Sequence, residues 1–566
     1  VFSVDTRGYS SLWSNDISGS GGLAKTGAGV LVMTGNNSYT GATVISGGKL
    51  VVNGSIADSA LLTIGQEAAL GGSGMVGNTL VYGLVQPGNS VGTLTVAGNY
   101  TQQAGSLLEL ELSPQGVTDK LVVTGDVDIQ GGGLRVLGLR AAHLGRQYSF
   151  LESGGALSGA FDETNLDGLF IDLAASRGAS AFSLSVERNA TSFASFARTG
   201  NQRAMANAVE SQGLSGKAYD EIVGIQDATV VPALYESLTG EIYASTQSAL
   251  FDTGDLLRHT VLHRTRQALR DPMHSGRGAA AFSQAGVSND RGMWGQVFGN
   301  WGRLGGGTQA RALDRSLGGL ALGGDFSLGE REGRQARAGL GFSYTNSTLR
   351  DDARLDRVRA DGYHAMAYAG MQHGPWSFRG GLTQSWYQLD TRRTIDWTAH
   401  ASSSSKRDAQ VLQVFVEAAR SIDLGGATLE PYAGLAQMWL RQSAFAEDNA
   451  VFGLQDAGRR DAVGFSTLGL RLGTDVATDK SGRLQLEVGL GWRHAFGDVT
   501  PTRQLRFTTG DAFKVVGAPL ARNALLADVG LGWSVGRHTR VALNYAGQLA
   551  GHTRDHSAQA SVRWAF

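Results

Sequence analysis

SAQASVRWAF, residues Ser557 to Phe566, alternates side chains without a fault and stops on an aromatic. Phe566, Trp564, Val562, Ala560 and Ala558 fall on one side of an extended chain, and Ala565, Arg563, Ser561, Gln559 and Ser557 fall on the other. Successive side chains of a strand point to opposite faces, so this strand is apolar on one surface and polar or small on the other. A soluble sandwich accommodates one such strand. A chain that ends in it, after many others like it, reads as a closed barrel in an outer membrane, apolar toward lipid and polar toward its lumen.

The others lie upstream. Leu320, Leu322, Phe326 and Leu328 alternate against Ala321, Gly323, Asp325 and Ser327. Ala336, Ala338, Leu340, Phe342 and Tyr344 alternate against Arg337, Gly339, Gly341, Ser343 and Thr345. Leu484, Leu486, Val488, Leu490 and Trp492 repeat the pattern, as do Leu525, Ala527, Val529, Leu531 and Trp533. Around Phe465 to Leu472 the phase slips, which predicts a bulge or a displaced strand boundary. About twelve strands are expected, and their connections sort by parity. Thr391 to Arg407 and Asp498 to Arg522 read as long polar loops, whereas Gln372 to Pro375, Asp423 to Gly426 and Gly536 to Thr539 are short. Short turns at one end and long loops at the other mark an outer-membrane barrel. A sandwich has no reason for that asymmetry.

Composition bounds the rest. A chain of 566 residues predicts two or more domains. Gly accounts for 81 residues, about double the usual share of ~7%, while Pro accounts for only 8. That balance suits repeated turns and close backbone stacking. The net charge of −1 leaves no electrostatic footprint for nucleic acid. Cys is absent, which excludes disulfide staples and suits export through a membrane unfolded. No run of ~18 apolar residues predicts a transmembrane helix. The opening VFSVDT has neither a charged nor an apolar leader segment, so the chain is expected to be processed or to be the tail of something longer.

Three regions follow. From Val1 to Glu187, short apolar runs such as Val30 to Met33, Lys49 to Val52 and Thr93 to Val96 are broken by turn pairs such as Gly35-Asn36, Gly47-Gly48 and Gly98-Asn99. Strands this short and regular suit a sandwich or a parallel β-helix, and the repeated Gly turn, apolar run and second turn favour the solenoid. A stack needs a cap, and the longer strands near Leu107 to Leu139 suit one. From Ala190 to Arg270 the period becomes helical, and the stretch from Pro232 runs on helix formers with no proline until Pro272. Its last third is basic: Arg258, His259, His263, Arg264, Arg266 and Arg270. One reading is a surface helix with its cations toward the negative end of its dipole. The other is a helix threading the barrel lumen, since thirty-odd residues at ~1.5 Å each exceed the ~30 Å membrane core.

A Gly-rich stem, an Ala-rich helix, a barrel opening GMWGQVFGNWG (Gly292 to Gly302) and a final WAF resemble the C-terminal part of the monomeric, type Va autotransporters. The resemblance covers nearly the whole chain. Leu23 to Val52 is similar to that family's passenger-associated repeat. Val85 to Tyr100 and Asp119 to Val136 resemble its pertactin-like autochaperone segment, and Leu238 to Leu250 resembles the approach to the pore. Val4 to Gly22 is similar to the stem that follows a subtilisin-like serine protease domain in some members.

The resemblance implies an all-β fold with a helical linker: a β-helical passenger stem over 1–84, an autochaperone-like cap over 85–187, a linker with a pore-spanning helix over 188–290, and a 12-stranded transmembrane antiparallel β-barrel over 291–566. It implies an outer-membrane translocator displaying or secreting its own N-terminal passenger, with the stem at the cell surface. Implied partners are outer-membrane lipid, the barrel assembly machinery, periplasmic chaperones and the passenger in cis, with no cofactor and no nucleic acid. Arg258, His263, Arg264 and Arg270 would serve the pore helix. Gly88, Ser90, Gly125 and Gly132 would serve the autochaperone. Trp564 and Phe566 would be read as the assembly signal, although a terminal aromatic also suits a membrane interface by itself. Glu241 to Arg270 contains no Asn, so the Asn-Asn scission of some members is not expected.

Catalytic signals fail. GNSVG (Gly88 to Gly92) fits the nucleophile-elbow string but has strand on both sides instead of strand then helix. GGLAKT (Gly21 to Thr26) lacks phosphate-loop spacing, and DETNLDG (Asp162 to Gly168) lacks the ligand positions of a calcium loop. The eleven His form no HExxH, and no metal site is expected. Two further readings stay open: an adhesin whose solenoid is itself the binding surface, and a stand-alone porin, which needs a lumen free of the helix.

Overall fold

The structure is a computed structural model that describes residues 1–162, 168–270, 291–331, 334–351, 353–397, 401–476, 483–535, 539–551 and 553–565. It divides into two compact units, Val1–Ser195 with Gln212–Val231, and Phe196–Ser211 with Pro232–Phe566. The α-helices among the described residues are α1 (Gly200–Glu210), α2 (Lys217–Val223), α3 (Val231–Leu238) and α4 (Glu241–Arg270).

The first unit is a parallel β-helix. Phe2 lies beside Leu23, Leu23 beside Thr43 and Thr43 beside Leu62, so each coil adds one strand to each stacked sheet. Leu31, Leu50, Leu70, Val85, Leu108 and Leu134 fall in register down one sheet, and all are buried. Each such side chain contributes ~1.5–3 kcal/mol when withdrawn from water. The Gly-Asn turns also stitch coils together. Asn78 Oδ1 accepts from the Asn99 amide at 2.8 Å, Asn99 Oδ1 from Asp126 at 2.9 Å, and Asp126 Oδ1 from Ala156 at 2.8 Å. Each exposed turn side chain thereby pairs a backbone donor of the next coil. Lys25 works in the opposite sense: its buried ammonium donates to the carbonyls of Thr26 (2.9 Å) and Gly27 (2.8 Å) beside it and of Gly47 (2.9 Å) on the next coil.

The cap is not where the strand lengths suggested. Leu107–Glu111 and Gly133–Leu137 are ordinary members of the parallel stack. Capping comes later, where Arg146–Ser153 pairs antiparallel with Ala181–Arg188 and that strand with Ile171–Arg177. Reversing the chain direction ends the coil repeat. Beside it α2 is tied on by Asp220, which accepts from the Ala141 amide at 2.7 Å, and by Glu221, which pairs with Arg140 at 2.7 Å.

The second unit is a closed antiparallel barrel. Among the described residues its twelve strands are β1 (Arg291–Leu304), β2 (Leu313–Arg331), β3 (Arg334–Asp351), β4 (Asp356–His373), β5 (Trp376–Thr394), β6 (Ser402–Arg420), β7 (Ala427–Gln442), β8 (Arg459–Val476), β9 (Arg483–Phe496), β10 (Asn523–Val535), β11 (Thr539–Leu549) and β12 (Arg554–Ala565). Sequence neighbours pair, and β1 pairs with β12 from Gly292↔Ala565 to Arg303↔Arg554, which closes the ring. Closure pairs the backbone of every strand on both sides, the condition for lying in lipid. Leu322, Leu340, Leu490, Val529 and Leu543 face outward and are exposed, while Asp325, Arg337, Arg493 and Gln559 face inward and are buried.

Two expectations about the strands are corrected. β8 contains no bulge: its pairing with β7 and with β9 runs without a shift. The phase slips because Val463 and Phe465 face the lumen, whereas Leu468, Leu470 and Leu472 face lipid. The register shift found instead lies in β2, between Ser327 and Gly329. Thr391 to Arg407 is not a long loop either, since β5 continues to Thr394 and β6 starts at Ser402. Asp498 to Arg522 is long, and it folds its own small hairpin from Thr502–Leu505 and Phe513–Val516.

Candidate functional site

α4 occupies the barrel lumen. Its thirty residues span ~45 Å, and no described helix is long and apolar enough to cross a membrane. It packs on β3 to β7 and on the loop hairpin. The unbroken helix expected from Pro232 is interrupted: Gly240 takes φ +66° and separates α3 from α4. That conformation suits glycine, and a Cβ there would also overlap the Leu454 side chain.

The elbow is held at the barrel's loop end. The last carbonyls of a helix lack intrahelical donors. Here Arg354 Nη1 donates to Glu236 O at 2.6 Å, and Arg393 Nη1 donates to Ser237 O at 2.6 Å. Arg393 also grips Glu447 bidentately at 2.7 Å on each oxygen, and Arg354 Nη2 donates to Glu241 Oε1 at 3.0 Å. Tyr243 Oη donates to Glu447 at 2.6 Å, and its ring stacks on Phe445 at 4.2 Å. One turn further on, Ser248 Oγ donates to Ala518 O at 2.8 Å, and the Ala518 amide donates to Ser245 Oγ at 2.8 Å.

Deeper in the lumen the contacts become ionic. Arg258 pairs with Asp255 on its own helix, and Asp255 also accepts from Arg493 Nη1 of β9 at 2.7 Å. The Arg258 and Arg493 guanidinium carbons lie 5.2 and 5.0 Å from the Phe465 ring centroid, which explains why that aromatic faces inward. Arg264 pairs with Asp325 of β2, and Arg337 Nη2 of β3 sits 3.2 Å from the other carboxylate oxygen. Arg266 pairs with Glu487 of β9 at 2.5 Å. His263 stands near Gln267, with a 3.4 Å contact at Nε2. The Arg270 side chain lies outside the described residues. A helix with this many buried charges needs a charged wall; lipid offers none.

Glycines bring helix and wall together, but not every lumen-facing glycine does so. Gly489, Gly491, Gly530 and Gly532 do face the lumen, yet side chains of the wall itself fill the space above them. A Cβ at Gly491 would stand 2.6 Å from Tyr432 Oη, and one at Gly532 2.7 Å from Arg540 Nη2; Asp528 and Asn544 cover Gly489 and Gly530. The helix uses others. A Cβ at Gly370 would stand 2.6 Å from Thr265 Cγ2 and 2.9 Å from Leu269 Cδ1. One at Gly517 would overlap the Ser245 amide nitrogen.

The remaining candidate residues do not converge on one site. Gly88 (φ +86°) and Ser90 (φ +116°) form the turn beside Asp119. Asp119 Oδ1 accepts from the Gly92 amide and Oδ2 from the Glu111 amide, each at 2.8 Å. Burial pushes the Asp119 carboxyl up to about 6. Gly125 lies in a different turn, donating to Gly98 O at 2.9 Å. Gly132 lies in a third and donates to Asp162 Oδ2 at 2.8 Å. Trp564 projects outward from β12, opposite Met293 and Thr539. Phe566 lies outside the described residues, as do residues 163–167 of the DETNLDG stretch. Asp119, Asp325, Glu447 and Glu487 were missed as functional residues. Asp325 and Glu487 carried a signal, as acids in the polar phase of otherwise apolar strands.

Residues 293–546 match the family described as Autotransporter beta-domain, and residues 23–52 match the Passenger-associated-transport-repeat. An extracellular serine protease of Serratia marcescens is 30% identical over 610 residues, covering 98% of this chain and 57% of that protein. The autotransporter lipoprotein NalP of Neisseria meningitidis serogroup B is 26% identical over 541 residues, covering 83% of this chain and 46% of that protein. The chain thus spans about half the length of the curated relatives it matches. The solved translocator domain of NalP from Neisseria meningitidis aligns at 16% identity with a TM-score of 0.42, over 57% of this chain and 99% of that one. A passenger-type repeat in a β-helix and a matching β-domain whose lumen holds the preceding helix occur here in one polypeptide: the chain belongs to the type Va autotransporters, and its barrel is an outer-membrane barrel.

Proposed function

We propose that residues 291–566 translocate the preceding polypeptide across the outer membrane, with 1–84 as stem, 85–187 as autochaperone and 188–290 as the linker that remains in the pore. The occupied lumen carries this reading. α4 enters at the loop end, where Glu241 meets Arg354, and descends to Arg264 at Asp325, toward the end where β1 begins. A porin has no use for such a plug.

Stem folding supplies the drive. At roughly 0.1 kcal/mol per residue, the first hundred residues folded outside contribute about 10 kcal/mol, far above the ~0.6 kcal/mol of thermal energy that drives a back-slip. Asp119, holding the amides of Gly92 and Glu111, ties the Gly88–Ser90 turn to the neighbouring coil, and Gly125 and Gly132 shape the turns that follow. Trp564 and Phe566 serve the barrel assembly machinery, to which periplasmic chaperones deliver the chain. By likeness to the Serratia extracellular serine protease, the passenger is a serine protease, and the resemblance of Val4 to Gly22 to the stem behind such domains makes it a subtilisin-like one. Removing residues 85–140 tests the reading: barrel insertion persists while passenger display falls. Undiminished display overturns it.

A further inference from the structure

The loop-side ends of β3 to β6 carry five cations on the outward phase. Arg350 shares the phase of exposed Leu340 and Phe342, Arg357 and Arg359 that of Tyr363, Arg392 that of Trp386, and Lys406 that of Val414. Register sets Arg350 directly opposite Arg357, and Arg357 directly opposite Arg392, so three guanidinium-bearing residues stand abreast on one rung. Like charges directly opposite each other destabilise a sheet. Only its Arg392 end feels an acid, Asp448, whose carboxylate accepts from the amide and hydroxyl of Ser404 at 2.7 and 2.6 Å. Among the described residues none of the five forms an ion pair, and the buried Nε of Arg357 has no hydrogen-bond partner. Asp390 stands one level lower, between Arg359 and Lys406. Asp361 is engaged by Tyr344 Oη at 2.6 Å and Asn346 Nδ2 at 2.8 Å. The neighbour of Arg392 on β6 is Ser404.

Height decides what such a rung meets. From Tyr363 to Arg357 the strand rises ~20 Å, or ~15 Å along the barrel axis at a tilt of ~40°. Tyr363 packs beside Tyr344 at 5.4 Å, with Trp386 across the strand, as an interfacial belt. The arginines therefore stand beyond the apolar band, in the headgroup layer of the leaflet at the loop end.

We propose that Arg350, Arg357 and Arg392, with Arg359 and Lys406 below, bind the phosphate-bearing sugar headgroups of the outer leaflet's anionic glycolipid. Guanidinium forks match phosphate oxygens bidentately, and a shared phosphate relieves the repulsion along the rung. This placement rests on the outward orientation of the loop end adopted above.

The test uses the full chain in detergent and bisphosphorylated lipid A as probe, with binding read by native mass spectrometry. Replacing Arg350, Arg357 and Arg392 by Ser should weaken binding at least ~10-fold, since each basic residue near an anionic surface is worth about a factor of five. Dephosphorylated lipid A should bind the native chain no better than the triple variant binds the probe, and excess inorganic phosphate should not displace the lipid. If the triple variant does not assemble, Arg357→Gln alone should lower affinity measurably. Native affinity in the assembled variants, equal binding of the dephosphorylated lipid, or full displacement by inorganic phosphate would each overturn the proposal. Surface display in the same cells reads transport separately, so failure of one does not imitate failure of the other.

Discussion

Arg264, on the helix inside the barrel, places Nε 2.9 Å from Asp325 Oδ2 on the wall, while Arg337 approaches the same carboxylate from the next strand. One acid thus serves two buried cations, and the two partners are not equivalent. Asp325→Leu withdraws the shared carboxylate from both arginines, and removing one partner of a buried pair typically costs ~3–5 kcal/mol. Arg264→Met leaves Asp325 neutralised by Arg337 and should cost less. The expected readout is single-channel conductance in planar bilayers, with frequent openings for Asp325→Leu and few for Arg264→Met. Equal behaviour would remove the helix's anchor from this pair.

Gly517 is where the loop hairpin lies flush on α4. Gly517→Val would drive a side chain into the Ser245 backbone and break the paired hydrogen bonds between Ser245, Ser248 and Ala518. The barrel wall is untouched. Heat-modifiable migration on gels should therefore stay native while external protease gains access to α4.

Asp119 gives the stem a pH dependence of definite sign. Its folded value of about 6 lies above the ordinary carboxyl value of 3.8 because burial disfavours the charge. Its contribution to stability is therefore full below about 4 and is lost as pH rises through about 6. Hydrogen exchange of the Leu107–Val123 amides in the full chain should be slower at pH 5 than at pH 7 after correction for intrinsic exchange. In Asp119→Asn that difference should shrink.

The lipid-facing pattern was open to reading because lipid imposes one rule on every outward position. Leu484, Leu486, Val488, Leu490 and Trp492 obey it whatever stands across from them. The lumen imposes no such uniform rule. Val463 and Phe465 face inward because Arg258 and Arg493, both distant in sequence, need an apolar and aromatic seat, and a local pattern cannot contain that partner. The Gly240 elbow escaped for a similar reason, since its Leu454 contact and the Arg354 and Arg393 caps come from the barrel's loop end. In the stem, the Gly-Asn turns announced themselves, whereas Asp119 acts through backbone amides and left no motif.

Leu340 tests the membrane placement of the wall. It is 65% exposed on β3 in the middle of the apolar band, where an arginine costs ~2–4 kcal/mol. Leu340→Arg should lower the yield of assembled barrel, while Leu340→Phe should leave it unchanged. Comparable yields in both would argue against lipid on that face.

Thr265 and Gly370 offer the most direct measurement of the central claim, that the lumen ends up filled by the helix preceding the barrel. The chain has no cysteine of its own, and a Cβ at Gly370 would lie 2.6 Å from Thr265 Cγ2, so a Thr265→Cys, Gly370→Cys pair is within disulfide reach. In intact outer membranes under mild oxidation, the pair should close nearly completely, with surface display of the stem unchanged. Absence of the bond, in cells where a Val297→Cys, Ala560→Cys control across the β1–β12 seam does close, would contradict the account.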